Sequence, residues 1–162
     1  MNNLQIDLSK LNYKFIKKPL LVGGKAMEYY GLRKSGNDID FIAYEEDIKN
    51  LIKIYPGRVK DLWGDLGVCP FEFEIWRSIS YLKYEDLLSK AKEMDDYYVI
   101  SKYNLLLMKA LAMDKEKYLN DTKMIVKSLI DDLSKQYDSE RSSVDAILSE
   151  VRDIKFIEKS GW

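Results

Sequence analysis

Residues Leu21–Phe41 constrain the fold of this chain most, because a glycine pair and a short helix stand between two short apolar strands. The run from Leu20 to Val22 predicts a buried strand, and Gly23 and Gly24 follow it at once. Glycine lets the backbone turn sharply and leaves room where any other residue would place a Cβ atom. A helix beginning near Lys25 would then direct its free amide groups towards an anion.

Two aspartates occupy the second strand of this segment. Side chains alternate between the faces of a strand, so Asp38 and Asp40 would share one face while Ile39 and Phe41 enter a core. Two carboxylates on one face can share a divalent cation. A glycine pair also occurs in ordinary turns, and an Asp-x-Asp pair occurs on solvent-exposed strand faces. Either motif alone is therefore also consistent with a purely structural role.

The combination resembles the signature of the polymerase-β-like nucleotidyltransferase superfamily, a hydrophobic residue and two small residues, a spacer, and then Asp-hydrophobic-Asp-hydrophobic. Here thirteen residues, Lys25–Asn37, separate the two halves. The resemblance implies transfer of a nucleoside monophosphate from a nucleoside triphosphate to an acceptor hydroxyl, with Mg²⁺ or Mn²⁺. It assigns the metal to Asp38 and Asp40, and the nucleotide to Gly23, Gly24 and Lys25.

Such enzymes need a third acidic residue on a neighbouring strand, and the alternating segment Phe71–Trp76 supplies two candidates. Glu72 and Glu74 would both face the cleft, with Phe71, Phe73 and Ile75 on the opposite side. We favour Glu74 as the catalytic and metal-binding carboxylate, because the strand continues past it as in the superfamily, and Glu72 is the alternative. Alternation of apolar and acidic residues is also the ordinary pattern of an antiparallel strand with one solvent-exposed face.

A second resemblance lies in the C-terminal half, where an apolar helix containing Lys109 precedes a charged turn and Asp121. This arrangement is similar to the late motifs of the AbiEii-like toxin branch of the superfamily, which implies that Lys109 and Asp121 belong to the nucleotide site, Lys109 also to catalysis. A lysine in an apolar run must extend its ammonium into water or meet an anion. Arg33 and Ser35 stand at a shifted spacing relative to that branch, so we assign them no nucleotide contact.

Composition narrows the chemistry. The chain has 162 residues with 46% hydrophobic content, enough for one core, and a net charge of −1 that provides no global basic field for nucleic acid. It contains no histidine and one cysteine, Cys69, which excludes imidazole catalysis, an internal disulfide and a credible zinc site. Oxygen ligands remain, and these favour magnesium or manganese.

No membrane span or signal-peptide core is evident, so we expect a cytoplasmic location and no membrane association.

Hydrophobic periodicity predicts an α+β fold, a small mixed β-sheet with flanking helices and a C-terminal helical bundle. Residues 1–80 would form the catalytic core and residues 81–162 a helical region packed on it. The predicted helices are residues 4–15, Glu45–Tyr55, Tyr84–Glu93, Ser101–Lys115, Asp121–Tyr137 and Ser139–Lys159, and the predicted later strands are Arg58–Trp63 and Val68–Ile79.

The acceptor cannot be deduced from these residues. The resemblance allows tRNA or another RNA, a protein or a small molecule, and it implies a cognate antitoxin as a partner. The alternative is a non-catalytic nucleotide-binding or interaction module on the same fold. The position of the third carboxylate distinguishes the two hypotheses, because an enzyme needs Glu72 or Glu74 beside Asp38 and Asp40.

Overall fold

The computed structural model describes residues 4–151, and its main element is a seven-stranded mixed β-sheet. The strands are β1 Leu20–Leu21, β2 Ile39–Ile42, β3 Val59–Leu62, β4 Asp65–Val68, β5 Phe73–Trp76, β6 Ser78–Ile79, β7 Leu82–Lys83, β8 Lys92–Glu93 and β9 Tyr98–Val99. Their order across the main sheet is β3-β4-β5-β2-β1-β9-β8, while β6 and β7 form a separate two-stranded sheet. With its helices, this architecture confirms the predicted mixed α+β class.

The described residues contain the helices α1 Gly23–Tyr29, α2 Glu45–Ile54, α3 Tyr84–Leu87, α4 Lys102–Ala110 and α5 Glu116–Glu150. Helix α2 confirms the helix predicted over Glu45–Tyr55, with three acidic residues in its first turn and Ile48 and Leu51 buried. Helix α4 begins after Ser101, whose side chain accepts a hydrogen bond from the backbone amide of Asn104.

The helix predicted over residues 4–15 is wrong in extent. Only Leu8–Leu11 is helical, as one 3₁₀ turn, and a second 3₁₀ turn covers Pro56–Arg58. Asp7 caps the first turn by accepting a hydrogen bond from the Ser9 amide, and Asn12 ends it with a left-handed φ of 45°. Leu8 and Leu11 are buried, so the apolar spacing reports packing rather than a long helix.

The strand predicted over Val68–Ile79 is interrupted. Strand β4 ends at Val68, and a turn follows in which the Phe73 amide donates a 3.0 Å hydrogen bond to the Pro70 carbonyl. Phe71 has a left-handed φ of 56° and an exposed side chain, so it does not share the buried face of Phe73. The alternation that places Glu72 beside Glu74 therefore fails, because β5 begins only at Phe73.

The second half of the chain contains more strand and fewer breaks than predicted. The helix predicted over Tyr84–Glu93 is the short α3 followed by β8, and both β8 and β9 join the main sheet. The two helices predicted over Asp121–Tyr137 and Ser139–Lys159 are instead the single helix α5, since residues 116–150 contain no glycine or proline to end it. The end of the second predicted helix lies outside the described residues.

The core lies along the central strands. Leu21 of β1, Phe41 of β2 and Ile75 of β5 are fully buried. Strand β2 runs antiparallel to β1 and parallel to β5, and β1 runs parallel to β9. The central strands therefore hold the two acidic segments of the chain side by side.

The chain divides into two compact units, the first ending at Val126 and the second beginning at Lys127, within α5. All nine strands and helices α1–α4 belong to the first unit. Among residues 4–151, no helix is long and apolar enough to cross a membrane.

Candidate functional site

The start of α1 lies directly against the carboxylate of Asp40. Gly23 has a φ of +63°, and a Cβ atom there would stand 2.3 Å from Asp40 Oδ2. The amide of Val22 donates a 3.0 Å hydrogen bond to the Asp40 carbonyl, which holds the two segments together. Glycine is required at position 23 both by its backbone conformation and by the space the carboxylate occupies.

Asp40 and Glu74 are neighbours on parallel strands. The register of β2 and β5 sets Asp40 opposite Glu74, so their side chains leave the same face of the sheet. Burial raises the pKa of Asp40 to about 6, and the charges of Glu74 and Asp38 add to the rise, although Lys109 and Lys117 oppose it. The arrangement concentrates negative charge where water is partly excluded, which favours binding of a cation.

A cavity of about 240 Å³ opens beside Asp40, within the first unit. Gly23 and Gly24 line it, together with Lys109 from α4 and Lys117 from α5. The remaining lining residues are Leu62, Asp65, Trp76, Ile79, Ser80, Leu105, Met108, Ala112 and Tyr118. Two carboxylates, Asp40 and Asp65, thus share the cavity with two lysines and with backbone that carries no side chain, which suits a phosphorylated ligand.

Lys109 meets an anion rather than extending into water. Its Nζ lies 2.9 Å from Asp121 Oδ2, and the two side chains are only 8% and 2% exposed. Arg33 completes the cluster, donating from Nη2 to Asp121 Oδ2 at 2.8 Å and from Nε to Oδ1 at 2.5 Å. The sequence separation between Arg33 and Asp121 is 88 residues, so this contact depends on the tertiary structure.

The cluster has opposed electrostatic effects on its members. Burial lowers the pKa of Lys109, and the charges of Arg33 and Lys117 lower it further. The hydrogen bond to Asp121 raises that pKa but does not reverse the net lowering. Burial raises the pKa of Asp121, but hydrogen bonds from Arg33 and Lys109 outweigh it and leave that pKa below its ordinary value. Asp121 therefore stays ionised and holds two cationic side chains beside the cavity.

The structure separates the two candidates for the third carboxylate. Glu74 lies next to Asp40, with Lys60 Nζ 3.3 Å from its carboxylate. Glu72 lies in the turn before β5 and forms an ion pair with Lys10. Asp38 is exposed just before β2 and lines a second depression together with both Glu72 and Glu74. Of the two glutamates, Glu74 is the one beside Asp40.

Lys25 does not line the cavity that contains Asp40. It follows the glycine pair in α1, and its Nζ lies 3.3 Å from Glu28 one turn later. It borders a separate depression that Asn37 and Glu72 also line. The predicted nucleotide-binding set is thus split, with Gly23 and Gly24 in the main cavity and Lys25 outside it.

Three further residues belong to the site although the sequence did not assign them. Arg33 binds Asp121, and its only sequence signal is the shifted arginine of the AbiEii-like pattern. Lys117 lines the cavity and acts on the charge of Asp40. The ring of Tyr118 lies 4.7 Å from Lys109 Nζ and 5.8 Å from Lys117 Nζ, a cation–π arrangement that keeps both ammonium groups nearby. Neither Lys117 nor Tyr118 stands out in a lysine-rich turn.

The donor atoms suit a hard divalent cation. In the part of the chain that the structure describes, no group of three Asp, Glu, Cys or His side chains is arranged to hold a metal ion. Magnesium is often held by only one or two carboxylates plus phosphate oxygens of its substrate. Asp40 and Glu74 meet that requirement, and the pKa of Asp40, raised mainly by burial and further by the charge of Glu74, marks a carboxylate whose ionised form a dication would stabilise.

The fold and the site together define a mixed α+β protein with a carboxylate-and-lysine cavity beside a glycine turn. No family model, curated protein or solved structure matches the chain. Functional inference therefore depends on the residues and their geometry.

Proposed function

We propose that the chain is a metal-dependent nucleotidyltransferase that moves a nucleoside monophosphate from a nucleoside triphosphate to an acceptor hydroxyl. The observation that carries the proposal is the pairing of Asp40 with Glu74 on parallel strands, directly beside Gly23. This pairing supplies adjacent carboxylates at a point where a phosphate can approach bare backbone. The cavity also contains Lys109 and Lys117, whose charges suit a triphosphate.

In the proposed reaction the acceptor oxygen attacks the α-phosphorus in line. A new P–O bond forms, the bond from the α-phosphorus to the bridging oxygen breaks, and pyrophosphate leaves with that electron pair. The proton of the acceptor hydroxyl passes to Glu74. Mg²⁺ or Mn²⁺, held by Asp40 and Glu74 with Asp38, would supply charge neutralisation of the phosphates and activation of the acceptor hydroxyl.

The other site residues bind and orient the nucleotide. Gly23 and Gly24 line the cavity and would present their backbone to the phosphates, while Lys109 and Lys117 offset the charge that develops on the leaving group. Asp121 acts as a positioning residue, because it fixes the ammonium of Lys109 through the 2.9 Å ion pair.

A second candidate is a nucleotide-binding module without turnover. The observation that favours it is the lack, within residues 4–151, of a three-carboxylate group arranged for a metal. Asp38 is exposed and borders a different depression from Asp40. Such a module would bind a triphosphate in the cavity and present it to a partner.

The acceptor is proposed only by class. An RNA such as tRNA, a protein or a small molecule would each present a hydroxyl, and the resemblance to AbiEii-like toxins favours a cognate antitoxin as partner. We propose action in the cytoplasm, where nucleoside triphosphates are available.

The test is transfer of label from each α-labelled nucleoside triphosphate to purified tRNA and to a cell extract, with Mg²⁺ or Mn²⁺. We expect label to reach one acceptor class with the wild type and with Glu72→Gln, and none with Asp40→Asn. Full activity of Asp40→Asn would contradict the mechanism. Metal-dependent nucleotide binding without transfer would favour the non-catalytic module.

A further inference from the structure

Helix α5 carries a heptad pattern within the second unit. Ile130, Leu133, Tyr137, Glu140, Val144 and Ile147 follow one another at alternating spacings of three and four residues, and we call this row the seam. Such spacing places all six side chains along one side of a helix, as in the a and d positions of a coiled coil. Five of the six are apolar or aromatic, and the exception is Glu140.

The seam is exposed. Its five apolar or aromatic side chains are between 43% and 66% exposed. One heptad position away from the seam is acidic throughout, with Asp131, Asp138 and Asp145 seven residues apart. Contiguous apolar surface of this kind is costly in water and marks an interaction surface. A helix also gains most of its stability by packing an apolar face, which calls for a partner.

We propose that the seam binds the same seam of a second copy of this chain, in antiparallel orientation. In this register Ile130 packs on Ile147 of the second copy, and Leu133 packs on Val144 of the second copy. Tyr137 then lies opposite Glu140 of the second copy. The two-fold axis passes between these central pairs, so every layer of the seam finds a partner. The proposal is independent of the catalytic proposal.

Glu140 selects both the orientation and the register. A parallel dimer in register would place two Glu140 carboxylates together between apolar layers, where like charges repel each other. A shift of the antiparallel register by one heptad would set Glu140 against Val144 or Ile130 of the second copy. In the proposed register, the hydroxyl of Tyr137 can donate to the Glu140 carboxylate, twice per dimer. The hydrogen bond between Tyr137 and Glu140 of the second copy forms in the proposed register and is lost in the parallel dimer and in the shifted antiparallel registers.

Paired single cysteines test the orientation in the full-length chain. Ile130→Cys and Ile147→Cys are made separately in a Cys69→Ser background, because Cys69 is a free thiol. The two proteins are treated with a short bis-maleimide alone and as a mixture. We expect a crosslinked dimer only in the mixture, since like positions lie about 25 Å apart along antiparallel helices. Crosslinking of Ile130→Cys alone would indicate a parallel dimer and overturn the proposal, as would no crosslink at all.

Sedimentation equilibrium of the wild type tests association itself. We expect a mass of twice 19.0 kDa, and a single-copy mass at the highest soluble concentration would overturn the proposal. Leu133→Lys should give a monomer, whereas Ser142→Lys, on another side of the helix, should remain dimeric. The double variant Leu133→Lys with Val144→Glu pairs opposite charges across the interface and should restore the dimer. Failure of that rescue while both variants stay folded would exclude the proposed register.

Discussion

Gly23 and Asp40 are in contact across the first two strands of the sheet. A Cβ atom at position 23 would lie 2.3 Å from Asp40 Oδ2, and the backbone there has a φ of +63°. The start of α1 and the carboxylate are therefore packed together, and the close approach of backbone to Asp40 depends on the missing side chain of Gly23. Substitutions on either side of this contact have distinct consequences.

Gly23→Ala should lower the free energy of unfolding more than Gly31→Ala does. Gly31 also has a positive φ, +68°, but no heavy atom lies within 4 Å of a Cβ built there. The control therefore measures the backbone cost alone, about 1–2 kcal/mol, while Gly23→Ala adds a clash worth about 1–3 kcal/mol. Denaturant unfolding measures both, and equal losses would contradict the contact.

Asp40→Asn should stabilise the metal-free protein at neutral pH. The folded-state pKa of Asp40 is about 6, above its ordinary 3.8. Between these two values the folded state binds more protons than the unfolded state, so wild-type stability falls as the pH rises from about 4 to about 6. Asparagine carries no charge and so avoids this loss of stability. We expect the free energy of unfolding of Asp40→Asn to exceed that of the wild type by about 1–3 kcal/mol at pH 7, and the difference to vanish near pH 4.

The measurement is denaturant unfolding in a chelating buffer at several pH values. Asp38→Asn is the matched control, because Asp38 is exposed. We expect its unfolding free energy to change by less than about 0.5 kcal/mol. A loss of stability in Asp40→Asn at pH 7 would show that the buried, ionised carboxylate does not destabilise the fold.

Asp121→Asn should be strongly destabilising. The substitution removes the carboxylate that contacts both Arg33 and Lys109, and leaves the buried ammonium of Lys109 beside the partly buried guanidinium of Arg33. Breaking a buried ion pair from one side costs about 3–5 kcal/mol. The pKa of Asp121 is lower in the folded state than its ordinary value of 3.8. The stability that ionised Asp121 contributes is therefore fully present above pH 3.8 and is lost as the pH falls through the lowered folded-state pKa.

Lys109→Met tests the coupling within this cluster. In a double-mutant cycle with Asp121→Asn, the two losses should fall short of additivity by about 0.5–3 kcal/mol. The exposed pair Arg141 and Asp145 serves as the comparison, and Asp145→Asn should cost no more than about 1 kcal/mol. Additive losses at positions 109 and 121 would argue against the ion pair.

Divalent cations should raise the melting temperature of the wild type through Asp40 and Glu74. Binding to the folded state alone adds about 2.7 kcal/mol when the free cation is at 100 times its Kd. Glu74→Gln should reduce the shift, whereas Glu72→Gln should keep it, because Glu74 lies opposite Asp40 on the neighbouring strand while Glu72 precedes that strand and is paired with Lys10. Thermal unfolding with and without Mg²⁺ or Mn²⁺ measures the effect. Equal shifts in the two variants would contradict the assignment of Glu74.

Local patterns predicted the elements around the site. The predicted order of strand, helix and strand is observed, although α1 already begins at Gly23 and not near Lys25. Asp38, predicted to share the strand face of Asp40, lies just before β2, because that strand begins at Ile39. Helix α2 and the strand carrying Glu74 were also predicted from periodicity alone. These elements depend on neighbouring residues, whose alternation or helical spacing reports directly which face is buried.

Element ends were predicted less well, and for a local reason. Asn12 and Phe71 adopt left-handed backbone conformations that end a helix turn and interrupt a strand, although their residue types permit other conformations. The break that the sequence suggested within residues 121–159 is absent from α5, because Asp138 and Ser139 are compatible with a helix.

The sequence alone determined the mixed α+β class, the glycine pair that follows the first strand, and the candidate carboxylates. Only the tertiary structure decided that Glu74 rather than Glu72 lies beside Asp40, and that Arg33 joins Lys109 on Asp121. The first choice depends on the register of two strands that are 30 or more residues apart, and the second on a contact across 88 residues. Neither relationship leaves a periodic signal, because it arises only when packing brings distant segments together.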